Sequence, residues 1–219
     1  MSTITLTAFG WVPPFARGVV RDLRVRWALE EAGLPYEQRL IGPADQASPE
    51  YLRQQPFGQV PVYQEDDLTL FESGAIVLHV AERTESLMPR DPAGRERARA
   101  WVFAALNSIE PQIQQLAEID LFYPHEEWAK SRRPGAVEAV QARLAQLGNW
   151  LEGRGYLEER FTAGDLMMTT VLRILRHTDL VAQVPVLDAY QRRSEDRPAF
   201  QKALEDQLAS FTDDPPGMD

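Results

Sequence analysis

The sequence predicts two regions of different class, an α/β domain of pattern βαβαββα followed by an all-α domain. Short runs of alternating β-branched and apolar residues lie within the first 85 residues. After Gly94, apolar residues recur at helical spacing. The stretch "ESLMPRDPAG" between these regions contains two prolines. We therefore predict domains at 1–85 and 95–219, joined by a linker at 86–94.

The first half of the α/β domain is typical of a strand–helix–strand unit. "TITLTAF" at residues 3–9 predicts a strand, which "GWVPPF" ends. A long helix is expected over residues 16–32, ended by Gly33, and "YEQRLI" predicts a second strand. This order favours a right-handed parallel unit. The helix prediction rests on an apolar stripe formed by Phe15, Val19, Leu23 and Trp27.

The second half of this domain predicts a short helix, a hairpin and another helix. Residues 48–55 indicate a helix with Ser48 as its cap and Pro49 at its first position. "VPVYQ" and "LTLFE" predict two strands joined by an acidic turn. Ser73 is expected to begin the helix "SGAIVLHVAERT".

The rest of the chain predicts helices. One is expected over residues 95–119, bent at Pro111, whose missing N–H breaks the helical hydrogen bonding. In "FTAGD", Thr162 and Asp165 have the spacing of a capping box. The tail "TDDPPGMD" is predicted to be disordered. Other helices are expected in "GAVEAVQARLAQLGNWLEG", "FTAGDLMMTTVLRILRH", "VPVLDAYQRRSED" and "PAFQKALEDQLASF".

Composition excludes several function classes. The net charge is −10 and neither region is basic, which argues against binding nucleic acid or an anionic membrane. No cysteine is present, so disulfides and a protein thiol nucleophile are excluded. No run of apolar residues is long enough for a membrane span, and the N-terminus does not have the pattern of a signal peptide, so we expect a cytoplasmic protein. Three scattered histidines indicate no metal site.

Several motifs together resemble the cytosolic glutathione transferases, here a bacterial-type member. They are, in order, "VRWALEEAGLPYE", "PFGQVPV", "LFESGAI" and "FTAGD", with a domain break near residue 90. The resemblance covers nearly the whole chain. It implies a thioredoxin-like N-terminal domain, a C-terminal helical bundle and a homodimer. It also implies glutathione as co-substrate, a small hydrophobic electrophile as second substrate, and a role in detoxification.

The resemblance also implies how glutathione is held. In the family the bond equivalent to Val60–Pro61 is cis, which would free the Val60 backbone to pair with an extended peptide. Without the family, the sequence favours a trans proline on an edge strand, because cis bonds are the minority form before proline. Ser73 at a helix start would bind the γ-glutamyl carboxylate and Glu72 would lie near the ammonium, although Ser73 also has the ordinary use of a helix cap. Gln59 is a further expected contact.

The sequence departs from the family at the catalytic hydroxyl. Pro13 stands where members usually have Tyr, Ser or Cys, and none of these residue types occurs from position 8 to 35. Trp11, Arg17 and Arg21 are the candidates to stabilise a thiolate, through an indole N–H or positive charge. The alternatives are that Trp11 belongs to an apolar wall and that the arginines form a solvated helix face together with Arg24 and Arg26.

Two functions follow from the resemblance. The first is a glutathione transferase whose second-substrate pocket is lined by Phe15, Phe103 and Asn107. The second is a carrier or scaffold that keeps the glutathione grip with little chemistry. Disulfide reduction through a mixed disulfide with the protein is disfavoured, because the chain has no cysteine.

Overall fold

The first part of the chain builds a four-stranded mixed sheet. The computed structural model describes residues 3–213. The strand order is β2-β1-β3-β4, with β1 and β2 parallel and the other neighbouring pairs antiparallel. This arrangement confirms the predicted thioredoxin-like α/β domain. The strands are β1 (Ile4–Phe9), β2 (Tyr36–Ile41), β3 (Val62–Glu65) and β4 (Leu68–Phe71).

The helix after β1 is shorter than the sequence predicted. The structure has a 3₁₀ turn at Pro14–Ala16, and α1 covers only Asp22–Ala32. Gly18 between them has a φ of 81°, which a helix does not allow. The expected helix over residues 16–32 was therefore wrong in its first turns. Gly33 ends α1 in the left-handed conformation, as predicted.

Three further helices complete the part of the chain that holds the sheet. Ser48 caps α3, where its side chain accepts a hydrogen bond from the Tyr51 N–H. The helix that follows the β3–β4 hairpin begins at Ser73, as the sequence predicted. The short helix after β2 was not predicted. These helices are α2 (Pro43–Gln46), α3 (Pro49–Leu52) and α4 (Ser73–Ala81).

Six helices follow. The expected bend near Pro111 is a π-helical turn at Ala105–Ile109, directly before the helix that contains this proline. The helix predicted to start at residue 135 begins at Glu127 and tolerates Pro134 inside it. None of the helices within residues 3–213 is long and apolar enough to cross a bilayer. The six are α5 (Pro92–Ala104), α6 (Glu110–Leu121), α7 (Glu127–Leu151), α8 (Ala163–Leu172), α9 (Pro185–Glu195) and α10 (Pro198–Ala209).

Helix α8 is the buried centre of the helical region, and all ten of its residues are buried. Its capping box forms as predicted, because Asp165 accepts from the Thr162 N–H at 2.9 Å. Asp165 also accepts the Leu157 N–H at 2.8 Å and the Tyr190 hydroxyl at 3.1 Å. Burial raises the pKa of Asp165 to about 6, against the effect of these hydrogen bonds.

The contacts divide the chain differently from the predicted boundary at its C-terminal end. One unit contains the residues up to Leu87 together with the chain from Pro198 onward, and the other contains Met88–Arg197. Helix α10 therefore belongs with the sheet, because it packs on α1 and Trp27 lies edge-on to Phe200 at 4.8 Å. Sequence periodicity predicts helix α10 but does not show that it packs on α1. The tail predicted to be disordered comprises residues 212–219. Thr212 is ordered, since its N–H donates to the Gly10 carbonyl at 2.8 Å, whereas residues 214–219 lie outside the described residues.

The contact between α1 and α10 is built on a buried ion pair. Arg26 Nε donates to Asp22 Oδ2 at 2.7 Å, and both side chains are almost fully buried. Gln207 of α10 donates to the other carboxylate oxygen at 2.7 Å and to the Val20 carbonyl at 3.1 Å. Burial raises the pKa of the Asp22 carboxyl, while Arg26 and Gln207 oppose that rise. The buried Asp22 carboxylate is thus stabilised by both Arg26 and Gln207.

We predict that Asp22→Ala lowers the free energy of unfolding by about 3–5 kcal/mol, because it leaves a buried guanidinium without its counter-charge. The matched control is Asp188→Ala, which removes an ion pair of the same residue types and spacing, with Arg192, on the surface of α9. The control should cost about 0.5 kcal/mol or less. Urea denaturation measures both. Equal losses in the two variants would contradict the assigned role.

Candidate functional site

Three segments meet at one end of the sheet because of the strand register. Thr7 of β1 pairs with Val62 at the start of β3, and Val62 pairs with Phe71 at the end of β4. Strand β1 runs on past this point into the Gly10–Val20 loop. The residues before Val62 and those after Phe71 therefore lie at the same end as that loop. We call this the active end of the sheet.

The segment before β3 presents its backbone at the active end. The Val60–Pro61 peptide bond is cis. Within residues 3–213, the Val60 N–H and C=O take no hydrogen bond, while the Val60 side chain packs in a cluster with Ile41, Tyr51 and Val62. The side chain is thus anchored and the backbone polar groups remain available. Gln59, the other predicted residue here, is exposed.

Two side chains that the sequence analysis did not select hold this segment in place. The Tyr51 hydroxyl donates to the Gln59 carbonyl at 2.6 Å. Burial raises the pKa of Tyr51 to about 12, so the hydroxyl stays a donor at neutral pH. Gln55 is buried, and its side-chain oxygen accepts the Phe57 N–H at 2.7 Å. Both residues hydrogen-bond to the backbone of the loop before β3. In the sequence, the feature that could have identified them is a polar side chain beside the apolar residues of this loop.

The segment after β4 begins helix α4. Glu72 is exposed and has a φ of 69°, a region that residues with a side chain rarely occupy. Such strained residues are found mainly at ligand-binding and catalytic sites. Ser73, the first residue of α4, is buried, and Arg24 Nη1 donates to its hydroxyl oxygen at 3.2 Å. A helix start with a nearby guanidinium favours a negatively charged ligand.

The loop after β1 contains the three predicted thiolate-stabilising residues, but they do not share one environment. Arg17 donates to the Thr212 carbonyl at 2.8 Å and lies 3.7 Å from the Asp213 carboxylate. Arg17 is therefore engaged with the segment after α10. Trp11 is half-buried, and half-buried Arg21 occupies the cap position of α1.

The hydroxyl groups of the first strand do not replace the missing one. Pro13 precedes the 3₁₀ turn and has no hydroxyl or N–H to donate. The Thr7 hydroxyl is fully buried in the sheet, and its oxygen has no hydrogen-bond partner among the described residues. A ligand at the active end therefore cannot reach Thr7.

The remaining predicted pocket residues are placed separately. Phe15 lies half-buried in the 3₁₀ turn after β1. Phe103 is exposed on α5, and Asn107 is exposed within the π-helical turn that follows α5. Their common use as a second-substrate pocket stays a prediction. Among residues 3–213, no three His, Asp or Glu side chains are grouped closely enough to hold a metal ion.

The comparisons with known proteins identify the family. Residues 6–82 match the model of the glutathione S-transferase N-terminal domain. A probable glutathione S-transferase of Oryza sativa subsp. japonica, GSTF2, is 32% identical over 177 residues, which are 74% of this chain and 78% of the relative. The chain belongs to the glutathione S-transferase family. The resemblance drawn from the motifs is thereby confirmed.

The proteins similar to this chain carry names that describe different activities. The structure of a Burkholderia graminis glutathione transferase, with two glutathione molecules bound per subunit, has a TM-score of 0.80 to this chain. It is 28% identical, and the match covers 93% of this chain and 88% of that one. The disulfide-bond oxidoreductase YfcG of Escherichia coli is 27% identical over 198 residues, 80% of this chain and 86% of the relative.

We predict that Tyr51→Phe lowers the free energy of unfolding by about 1 kcal/mol, because the part-buried hydrogen bond from the Tyr51 hydroxyl to the Gln59 carbonyl is lost. Tyr123→Phe is the matched control, since the Tyr123 side chain is 42% exposed. It should change stability by about 0.5 kcal/mol or less. Urea denaturation of both variants checks the difference, and a Tyr51 variant as stable as the control would refute this anchoring role.

Proposed function

We propose that the protein uses the thiolate of glutathione to attack a small hydrophobic electrophile. Membership in the glutathione S-transferase family makes the chain a glutathione transferase of unspecified reaction, and the proposal concerns how this chain performs it. The supporting observation is the active end of the sheet, where the Val60 backbone and the Ser73 helix start converge. Glutathione carries matching groups, a peptide backbone and a γ-glutamyl carboxylate.

The proposal assigns each residue a specific task. The Val60 N–H and C=O pair with the cysteinyl backbone of glutathione, as in the addition of a short β-strand. Ser73 and the first N–H groups of α4 bind the γ-glutamyl carboxylate. Glu72 lies near the ammonium group and Gln59 contacts the peptide. Pro61 holds the turn into β3.

The thiol has to be activated without a hydroxyl from the protein. A free thiol has a pKa of about 8.5, and lowering it by two units takes roughly 2.7 kcal/mol of preferential thiolate stabilisation. Trp11 and Arg21 are the proposed donors in the loop, and Arg17 contributes if it exchanges its partners in the C-terminal segment. Phe15, Phe103 and Asn107 are proposed to line the second-substrate pocket.

The second candidate function is a glutathione carrier or scaffold. It is favoured by one observation, the proline at the usual hydroxyl position. Both functions retain glutathione binding and differ only in the state of the thiol. The oxidoreductase relative represents another activity in the family, but this chain has no cysteine with which to form a mixed disulfide.

Calorimetric titration with reduced glutathione, combined with ultraviolet absorbance of the bound thiolate against pH, tests the proposal. We expect binding that Ser73→Ala weakens about tenfold, whereas the exposed control Ser131→Ala leaves it unchanged. We also expect a thiol pKa well below its free value. Binding with an unshifted pKa would favour the carrier, and no binding would overturn both functions.

If the thiol pKa is lowered, three variants identify its cause. We expect Trp11→Phe or Arg21→Gln to raise the pKa of the bound thiol while glutathione affinity changes little, because the donor acts on the thiolate alone. Arg17→Gln tests the same point. An unchanged thiol pKa in all three variants would exclude these residues and leave backbone N–H groups of the loop as donors.

We further propose a cytoplasmic homodimer that serves detoxification. Reduced glutathione is maintained in the cytosol, which supports this location. An exposed aromatic pair supports the dimer, since Phe57 is 68% exposed and lies 6.3 Å from the ring of Phe71. No nucleic acid or membrane is proposed as a partner.

We predict that Phe57→Ser raises the dimer dissociation constant at least about tenfold, because aromatic anchors dominate interface energies. Phe122→Ser is the control, since Phe122 is 58% exposed on the other unit. Sedimentation equilibrium measures both. A monomeric wild type would refute the dimer, and an unaffected Phe57 variant would refute the role of this pair.

A further inference from the structure

Arg24 is a buried guanidinium on helix α1, only 2% exposed. Its Nη1 donates to the Ser73 hydroxyl oxygen at 3.2 Å, across 49 residues of sequence. A buried guanidinium is tolerated where it is paired or hydrogen-bonded, and the Ser73 hydroxyl is one of the partners of Arg24. The carboxylate on the same helix, Asp22, is bound by Arg26 and Gln207. Arg24 instead extends toward the start of α4.

The hydrogen bond fixes the direction in which Ser73 can donate. A guanidinium has only donors, while a hydroxyl has one proton and two acceptor lone pairs. The Ser73 oxygen must therefore accept from Arg24, and its own proton is left for another acceptor. A free hydroxyl would rotate among several partners, but this one has its donor role set by the protein.

Positive potential at this point has two sources. The first N–H groups of α4 point out of the helix start, and the helix dipole adds partial positive charge there. The Ile76 N–H is already bound to the Glu72 carbonyl at 3.0 Å, so the N–H groups of residues 73–75 are the available ones. The second source is the Arg24 guanidinium, which lies next to the Ser73 hydroxyl.

We propose that Arg24 is a positioning residue that makes this protein select tripeptides with a free carboxylate on the γ-glutamyl residue. It holds the Ser73 hydroxyl as a donor toward that carboxylate and adds a positive charge next to this hydroxyl. This inference rests on the proposed function, since it assumes that glutathione binds at the active end. It assigns Arg24 no contact with the thiol.

A thermodynamic cycle of protein and ligand variants tests the proposal. The ligands are glutathione and 4-aminobutyryl-cysteinyl-glycine, which lacks the γ-glutamyl carboxylate and keeps the rest of the peptide. We expect Arg24→Gln to weaken glutathione binding about tenfold or more in calorimetry, because hydrogen bonds to charged groups are strong. Binding of the analogue should change less than about twofold. Equal weakening of both ligands would overturn the proposal.

Two further variants separate position from net charge and from folding. Arg83→Gln removes the same charge at the opposite end of β3, where Arg83 pairs with Glu65, and should leave both affinities within about twofold. Arg24→Lys keeps the charge but offers a different donor geometry, and should weaken glutathione binding selectively. If the Gln variant does not fold, Arg24→Lys decides, and unchanged or equally reduced affinities would overturn the proposal.

The failure of this inference is distinguishable from the failure of the proposed function. Wild-type protein that binds no glutathione overturns the proposed function itself. Wild-type protein that binds glutathione, with an Arg24 variant that loses affinity for both ligands equally, overturns only the role of Arg24. Circular dichroism on every variant confirms that the affinities are compared between folded proteins.

Discussion

The buried ion pair between Asp22 and Arg26 is the constraint on which the active end depends. It fixes the first turn of α1, and Gln207 ties that turn to α10. Arg24 lies between the two charged residues on the same turn of helix, so its direction is set by the pairing of its neighbours. A shift of this turn would move Arg24 away from Ser73. A structural salt bridge thus fixes the turn that carries Arg24, the residue proposed to position Ser73.

The active end shows how a sheet can present a peptide site without moving parts. The binding groups proposed for it are the Val60 backbone and the start of α4, both of which are fixed by the register of β3 with β1 and β4. Backbone groups lose little conformational entropy when a ligand binds, because packing has already ordered them. Tyr51 and the apolar cluster around Val60 provide that order. In the proposed function, specificity for peptide and carboxylate therefore comes from the fold, and the reaction depends on the loop after β1.

The sequence was sufficient for the elements whose signals are local. The hairpin, the Ser73 helix start and the capping box of Thr162 were predicted because capping and alternation depend on nearby residues. The start of α1 was predicted wrongly, since the apolar stripe continues through a turn that Gly18 breaks. Arg24 and Arg26 were interpreted as a solvated face, because an arginine in sequence does not show whether its partner is water, Ser73 or Asp22. Whether these arginines are buried depends on partners and on packing helices that are distant in the sequence, and a local residue pattern does not show which ones they are.

Because Pro13 stands at the usual hydroxyl position, the groups proposed to bind glutathione and those proposed to activate its thiol lie in different segments. In the proposed function, glutathione binding relies on groups at β3 and α4, whereas thiol activation relies on the loop after β1, where Pro13 has neither a hydroxyl nor an N–H. The Arg17 side chain in this loop is held by the Thr212 carbonyl, so the segment after α10 competes with a ligand for that positive charge. Stabilising a thiolate by charge alone is less directional than a hydroxyl hydrogen bond, because a Coulomb interaction depends on distance more than on angle. A loop that activates the thiol in this way would accept a wider range of thiolate positions, and the second-substrate pocket would then have to impose the geometry of attack.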